Sequence, residues 1–194
     1  MGFYCTQDEE LAKEWAVSLN KDGYANKYEL DLNNLNILNL SSKEYNCLHW
    51  ITILLQNRVF NLKNDISKMG KQYLIDNYSI NTKDYDVIIG YRADDSYFTL
   101  AENFLNNTIS IRQLSKALKY GNLGEQIVLI SKKAFNQIKY LDNEEAISNI
   151  YYPKRKQRND LARLKFFKET KNSFKKDDIF LSDLIKGEIN DTRI

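Results

Sequence analysis

The sequence predicts an α+β fold, and three observations lead there. Two short apolar runs, residues 86–90 and 126–131, read as buried strands. Two amphipathic stretches open on Ser or Thr with Glu three residues later, the pattern of capped helices. Strands and helices mix without the strict alternation that a doubly wound parallel sheet requires.

In chain order, Phe3-Tyr4-Cys5 is a short strand, and Thr6-x-x-Glu9 reads as a capping box. The helix it opens places Leu11, Trp15 and Leu19 on one face, with Ala12 and Ala16 beside them. Tyr28, Leu30 and Leu32 alternate with Lys27, Glu29 and Asp31, as in a half-buried strand, and residues 37–40 form another. Ser41-x-x-Glu44 opens a helix running to about residue 60. A further helix covers roughly 64–76, weakened by Gly70. The apolar run 86–90 ends at a glycine. Helices follow at about 95–106 and 110–119, the second capped by Ser110. After the strand at 126–131 come a short helix at 132–137, a strand at 138–141, and helices near 155–170 and 178–186. Pro153, the only proline, reads as a breaker and sets a boundary near residue 151. The predicted organisation is a domain over 1–150 and a basic helical extension over 151–194. That extension packs on the body through Leu161, Leu164 and Phe167 or Phe174.

Composition narrows the function classes. With 43% hydrophobic and 28% charged residues, the 194-residue chain is of ordinary globular type. No apolar run reaches the roughly 18 residues that span a bilayer, and no signal peptide is visible, so the expected compartment is the cytoplasm. Cys5 and Cys47 are too few for a disulfide framework and read as buried thiols. One histidine, His49, and no CxxC motif leave no zinc ligand set, so no metal site is expected. His49 sits mid-helix between Leu48 and Trp50 and reads as a packed histidine rather than a catalytic base. Residues 151–194 hold 12 Lys/Arg against 7 Asp/Glu, whereas the first 150 residues carry a net charge of −3. The overall charge of +2 is mild for a nucleic-acid binder. The cationic residues also alternate with apolar ones at helical spacing. A packed helix is therefore favoured over a polyanion-binding arm, and nucleic acid stays open as a partner.

Neither GxGxxG nor GxxxxGK[ST] occurs, so a nucleotide would be bound in some other way. Three segments stand out: Gly2-Phe3-Tyr4-Cys5-Thr6 with the helix through Trp15-Ala16; Tyr85-Asp86-Val87-Ile88-Ile89-Gly90-Tyr91-Arg92-Ala93-Asp94-Asp95; and Glu125-Gln126 opening the strand that ends at Ser131. In this order they resemble a bacterial family catalogued as a domain of unknown function and related to ADP-ribosyltransferases. The resemblance runs from Gly2 to about Leu141, and the tail is similar to that family's C-terminal extension. It implies a split two-sheet fold with NAD as substrate between the sheets and an unknown macromolecular acceptor. On that resemblance Tyr4 stacks on the nicotinamide, and Gln126 takes the late-strand position, with Glu125 as its neighbour and rival. The first of the three motifs of related enzymes, a His or Arg on a strand, has no counterpart here and would lie before Gly2.

The chemistry asks for such residues. Cleavage of the nicotinamide–ribose bond passes through an oxocarbenium-like state, which a nearby carboxylate stabilises. A glutamine can hydrogen-bond a ribose hydroxyl but brings no charge. Successive strand residues face opposite ways, so only one of Glu125 and Gln126 can face a given cleft. Asp94 and Asp95 are candidates for ribose contact, and one of them can equally cap the next helix. Arg58 continues the helical stripe of Cys47, Ile51 and Leu54. It is either a snorkelling cation or a clamp for a pyrophosphate. Tyr4, in a chain with 13 tyrosines, can also be an ordinary core aromatic. Two functions follow: an NAD-dependent ADP-ribosyltransferase, or an inactive module that binds NAD, ADP-ribose or a protein.

Overall fold

The computed structural model describes residues 2–62, 64–91, 95–119, 124–172 and 175–187, the side chains of 95–97 and 169–172 excepted. Among these residues the fold is mixed, with eight α-helices and two small sheets, which accords with the α+β class. The chain divides into two compact units, each drawing on three stretches of sequence. The first holds residues 1–39, 81–92 and 121–161; the second holds 40–80, 93–120 and 162–194.

The first unit contains both sheets. Strands β1 (Phe3–Cys5), β3 (Ile37–Asn39), β4 (Val87–Tyr91) and β5 (Glu125–Leu129) form a four-stranded sheet in the order β1-β5-β4-β3. Only β3 and β4 run parallel. Strands β2 (Gly23–Leu30) and β6 (Ile138–Ala146) form a separate antiparallel ribbon, with an irregularity between Lys27 and Tyr28. The odd-numbered positions of the large sheet face the core. Phe3, Cys5, Val87, Ile89, Ile127 and Leu129 meet Ala134 of the short helix α6 (Lys132–Asn136). Val87 and Leu129 are fully buried, and each such side chain contributes roughly 1.5–3 kcal/mol of transfer free energy.

Helix α1 (Glu9–Ala16) packs against the ribbon. Its cap is Asp8 rather than the expected Thr6: Asp8 Oδ1 accepts from Leu11 N at 3.1 Å, while Thr6 Oγ1 accepts from Asp8 N. The helix ends at Ala16, so Leu19 falls outside it and is exposed. Besides Leu11, the residues it buries are Lys13 and Glu14, not Trp15.

Helix α7 (Ser148–Asn172) begins earlier than expected and carries Pro153 within it. The proline removes one helical donor, to the Asn149 carbonyl, yet lies near enough to the start for the helix to persist. Three cations in the next turns tie α7 to the first unit. Lys154 meets Glu10 Oε2 at 2.7 Å, Arg155 donates to the Val17 carbonyl, and Arg158 grips Glu14 through Nε and Nη2 at 3.0 and 2.8 Å. The expected apolar contacts of Leu161, Leu164 and Phe167 are corrected: each is more than half exposed, while Ala162 and Phe166 are buried, and Phe174 lies outside the described residues.

The second unit is helical. Helices α2 (Cys47–Asn57), α3 (Asp65–Tyr78), α4 (Asp95–Leu105), α5 (Ile111–Ala117) and α8 (Leu181–Ile185) bury Leu48, Ile51, Leu74, Phe104, Leu114 and Leu181 completely. Helix α2 starts at Asn46 rather than at Ser41. Asn46 Oδ1 accepts from Leu48 N, and His49 Nδ1 accepts from Asn46 N. The His49 ring lies edge-on between Tyr45 and Tyr78, at 5.3 and 5.2 Å, so the one histidine is a capping and packing residue. Ser110 caps α5 as expected, with Gln113 completing the box. Arg112 holds Asp178 through two bonds of 2.6 and 2.8 Å, and the Asp178 side chain is almost entirely covered.

Gly70 has a use that helix propensity does not reveal. A Cβ there would stand 2.3 Å from Leu181 Cδ2, so α3 and α8 approach over the missing side chain. Alanine would gain about 1 kcal/mol of helix propensity and lose about 1–3 kcal/mol to overpacking. Gly70→Ala should therefore lower the urea midpoint rather than raise it.

Stability in acid should report the Arg112–Asp178 pair. The Arg112 guanidinium, with the Lys175 amide, holds the Asp178 carboxyl below the usual carboxylate range against the opposing effect of burial. The folded state thus binds that proton more weakly than the unfolded chain. The pair's contribution is complete above the unfolded value, near 3.9, and is lost as pH falls through the lower folded value. Unfolding free energy measured at a series of pH values should drop below about pH 4, and Asp178→Asn should flatten that drop.

Candidate functional site

The even-numbered face of the four-stranded sheet is built by register, and Tyr4 is its exposed member. Tyr4 pairs with Val128, and Gln126 lies two residues along β5 from Val128. In-phase positions project from one face, so Tyr4, Gln126 and Val128 stand together on the side away from Ala134, with Ile88 and Gly90 of β4; Val128 and Gly90 are themselves buried. Tyr4 and Gln126 are diagonal neighbours, about 7–8 Å apart at the backbone. Tyr4 is 58% exposed, which sets aside its reading as a core aromatic, and Gln126 is half-buried. Gln126 pairs with Gly90, so no side chain on β4 screens it from that side. Glu125 pairs with Tyr91, takes the opposite parity and is exposed at the start of its strand. Gly2 lets the chain close on this face: a Cβ there would lie 2.6 Å from Val128 Cγ1.

The other predicted residues lie elsewhere. Arg58 belongs to the second unit, as the exposed C-cap of α2 with extended backbone. The stripe of Cys47, Ile51 and Leu54 stops before it, because the helix ends at Asn57. Asp95 begins α4, also in the second unit, and its side chain lies outside the described residues, as does Asp94 altogether.

Asp86, in the middle of the second motif, fixes the sheet. Its Oδ1 accepts from Ser131 Oγ at 2.5 Å and its Oδ2 from Asn36 N at 2.9 Å, with Lys133 Nζ 3.8 Å away. The Ser131 hydroxyl and the Asn36 amide hold its carboxyl below the usual carboxylate range. One side chain thus joins the segments that enter β3 and β4 to the segment leaving β5. The residue type alone did not mark this role, although Asp at the head of an apolar strand was a visible signal.

The surroundings limit the chemistry. The start of α1 is no anion site, because Asp8 already caps it and Glu9 and Glu10 occupy its first turn. The basic run of α7 is also largely committed, with Lys154, Arg155 and Arg158 bonded to Glu10, the Val17 carbonyl and Glu14. Complementary charge in the two segments was the available signal for that pairing. Among the described residues no group of three or more His, Cys, Asp or Glu could hold a metal ion. Cys47 is an unreactive thiol, its pKa pushed up to about 12 by burial, and burial raises that of Cys5 as well. No described helix is long and apolar enough to cross a membrane.

Fold and face together define a mixed α/β protein with an exposed Tyr4 beside a half-buried Gln126 on one sheet face. Residues 1–140 match the model of a family described as protein of unknown function (DUF3990), and the chain belongs to that family. The match itself carries no link to ADP-ribosyltransferases. Comparison with curated proteins and with solved structures returns no match.

Glu14 offers a direct test of the α1–α7 contact, since its side chain is only 2% exposed. Arg158→Met would leave that carboxylate uncompensated, at a cost of about 3 kcal/mol, the low end for breaking a buried pair because Arg158 is partly exposed. The double variant Glu14→Met/Arg158→Met should recover most of that loss in denaturant titrations.

Proposed function

We propose that the chain is an ADP-ribosyltransferase-like protein that takes NAD as substrate and transfers ADP-ribose to a macromolecular acceptor. The observation that supports this reading most is that an exposed Tyr4 and Gln126 lie as diagonal neighbours on one sheet face, in the order of the three sequence segments. On this reading the Tyr4 ring gives the nicotinamide a flat apolar platform. The Gln126 amide accepts or donates a hydrogen bond at a ribose hydroxyl, orienting the sugar as the nicotinamide–ribose bond lengthens. Glu125 is the alternative carboxylate, and its use would require the strand to present its other face.

A second reading is favoured by one observation: among the described residues, the strand positions in phase with Tyr4 and Gln126 carry no carboxylate. Gln126 can orient a hydroxyl, but it cannot stabilise developing positive charge as a glutamate would. A module that binds NAD or ADP-ribose without cleaving it fits that chemistry.

Two measurements separate the readings. Calorimetry with NAD should show binding to the folded chain, weakened by about 0.5–1.5 kcal/mol in Tyr4→Ala. Absence of binding by a folded sample would remove both readings. Nicotinamide release should fall roughly 10²–10³-fold in Gln126→Ala and less in Glu125→Ala. The reverse order would assign the role to Glu125, and binding without release would leave the non-catalytic module.

A further inference from the structure

We draw no further inference here: the strongest candidate, the exposed apolar stripe that includes Leu161 and Leu164 on helix α7, rests on exposure alone, and nothing in the structure shows what covers it.

Discussion

The candidate face depends on one carboxylate. Asp86 accepts bonds from Ser131 Oγ and Asn36 N, and its own backbone joins the same two segments: its amide donates to the Asn36 carbonyl and its carbonyl accepts from Ile130 N. The entries to β3 and β4 and the exit from β5 are therefore locked at one end of the sheet. From that point the alternation of β5 is fixed, and alternation decides which side chains leave the core face. A slip of one residue would turn Gln126 toward the core and bring Glu125 to the side of Tyr4. The identity of the polar group beside Tyr4 is thus a consequence of register, and register is held from the far end of the strand.

A second set of charges governs the α1–α7 contact. Glu10, Glu14 and the Val17 carbonyl meet Lys154, Arg155 and Arg158, while Lys13 bridges Glu9 and Glu144 at 2.5 and 2.6 Å. These pairs differ in weight. Glu10–Lys154 is solvent-exposed and adds little, whereas Glu14–Arg158 is bidentate around a covered carboxylate. A buried pair is costly to break, yet it is a weak source of net stability compared with an apolar contact. Along α7, Arg158 is followed at four-residue spacing by Ala162 and Phe166, which are buried, while Leu161 and Leu164 are exposed.

The parts of this fold that were legible in sequence are those set by local pattern. Strand β4 and strand β5 are short apolar runs with no competing periodicity, and Ser110 is followed at the right distance by Gln113, so their positions follow from the residues. The misread elements were decided at longer range. Residues 6–8 and 41–46 each offer more than one capping side chain, and the helix begins where its apolar residues first reach the core. The caps are therefore Asp8 and Asn46 rather than Thr6 and Ser41. Strand β6 extends through Asp142, Asn143, Glu144 and Glu145, residues with poor strand propensity, because β2 supplies a partner along its whole length. The buried side of α7 was misread for a similar reason. Spacing identifies an apolar stripe, but the partner of Arg158 lies 144 positions away. Of the candidate site, alternation showed that Glu125 and Gln126 face opposite ways; that Gln126 shares a face with Tyr4 follows from the pairing of Tyr4 with Val128. The exposure of Arg58 was not readable, since it depends on where α2 ends.

The electrostatics of the exposed face bear on which of the two functions is the stronger. An oxocarbenium-like state gains most from a negative charge placed within a few ångströms in a site shielded from water. Gln126 offers the geometry without the charge, and Glu125 offers the charge on the other side of the strand. The nearest acidic groups in sequence to Tyr4 are Asp8, Glu9 and Glu10, and all three are engaged: Asp8 with Leu11 N, Glu9 with Lys13, and Glu10 with Lys154 and Tyr151. On the proposed reading, the described residues of this face would supply orientation and the dipole of one amide. Orientation alone can lower a barrier substantially when the reacting groups are held in line. On the proposed reading, the charge at a single strand position is what distinguishes a transferase from a binding module.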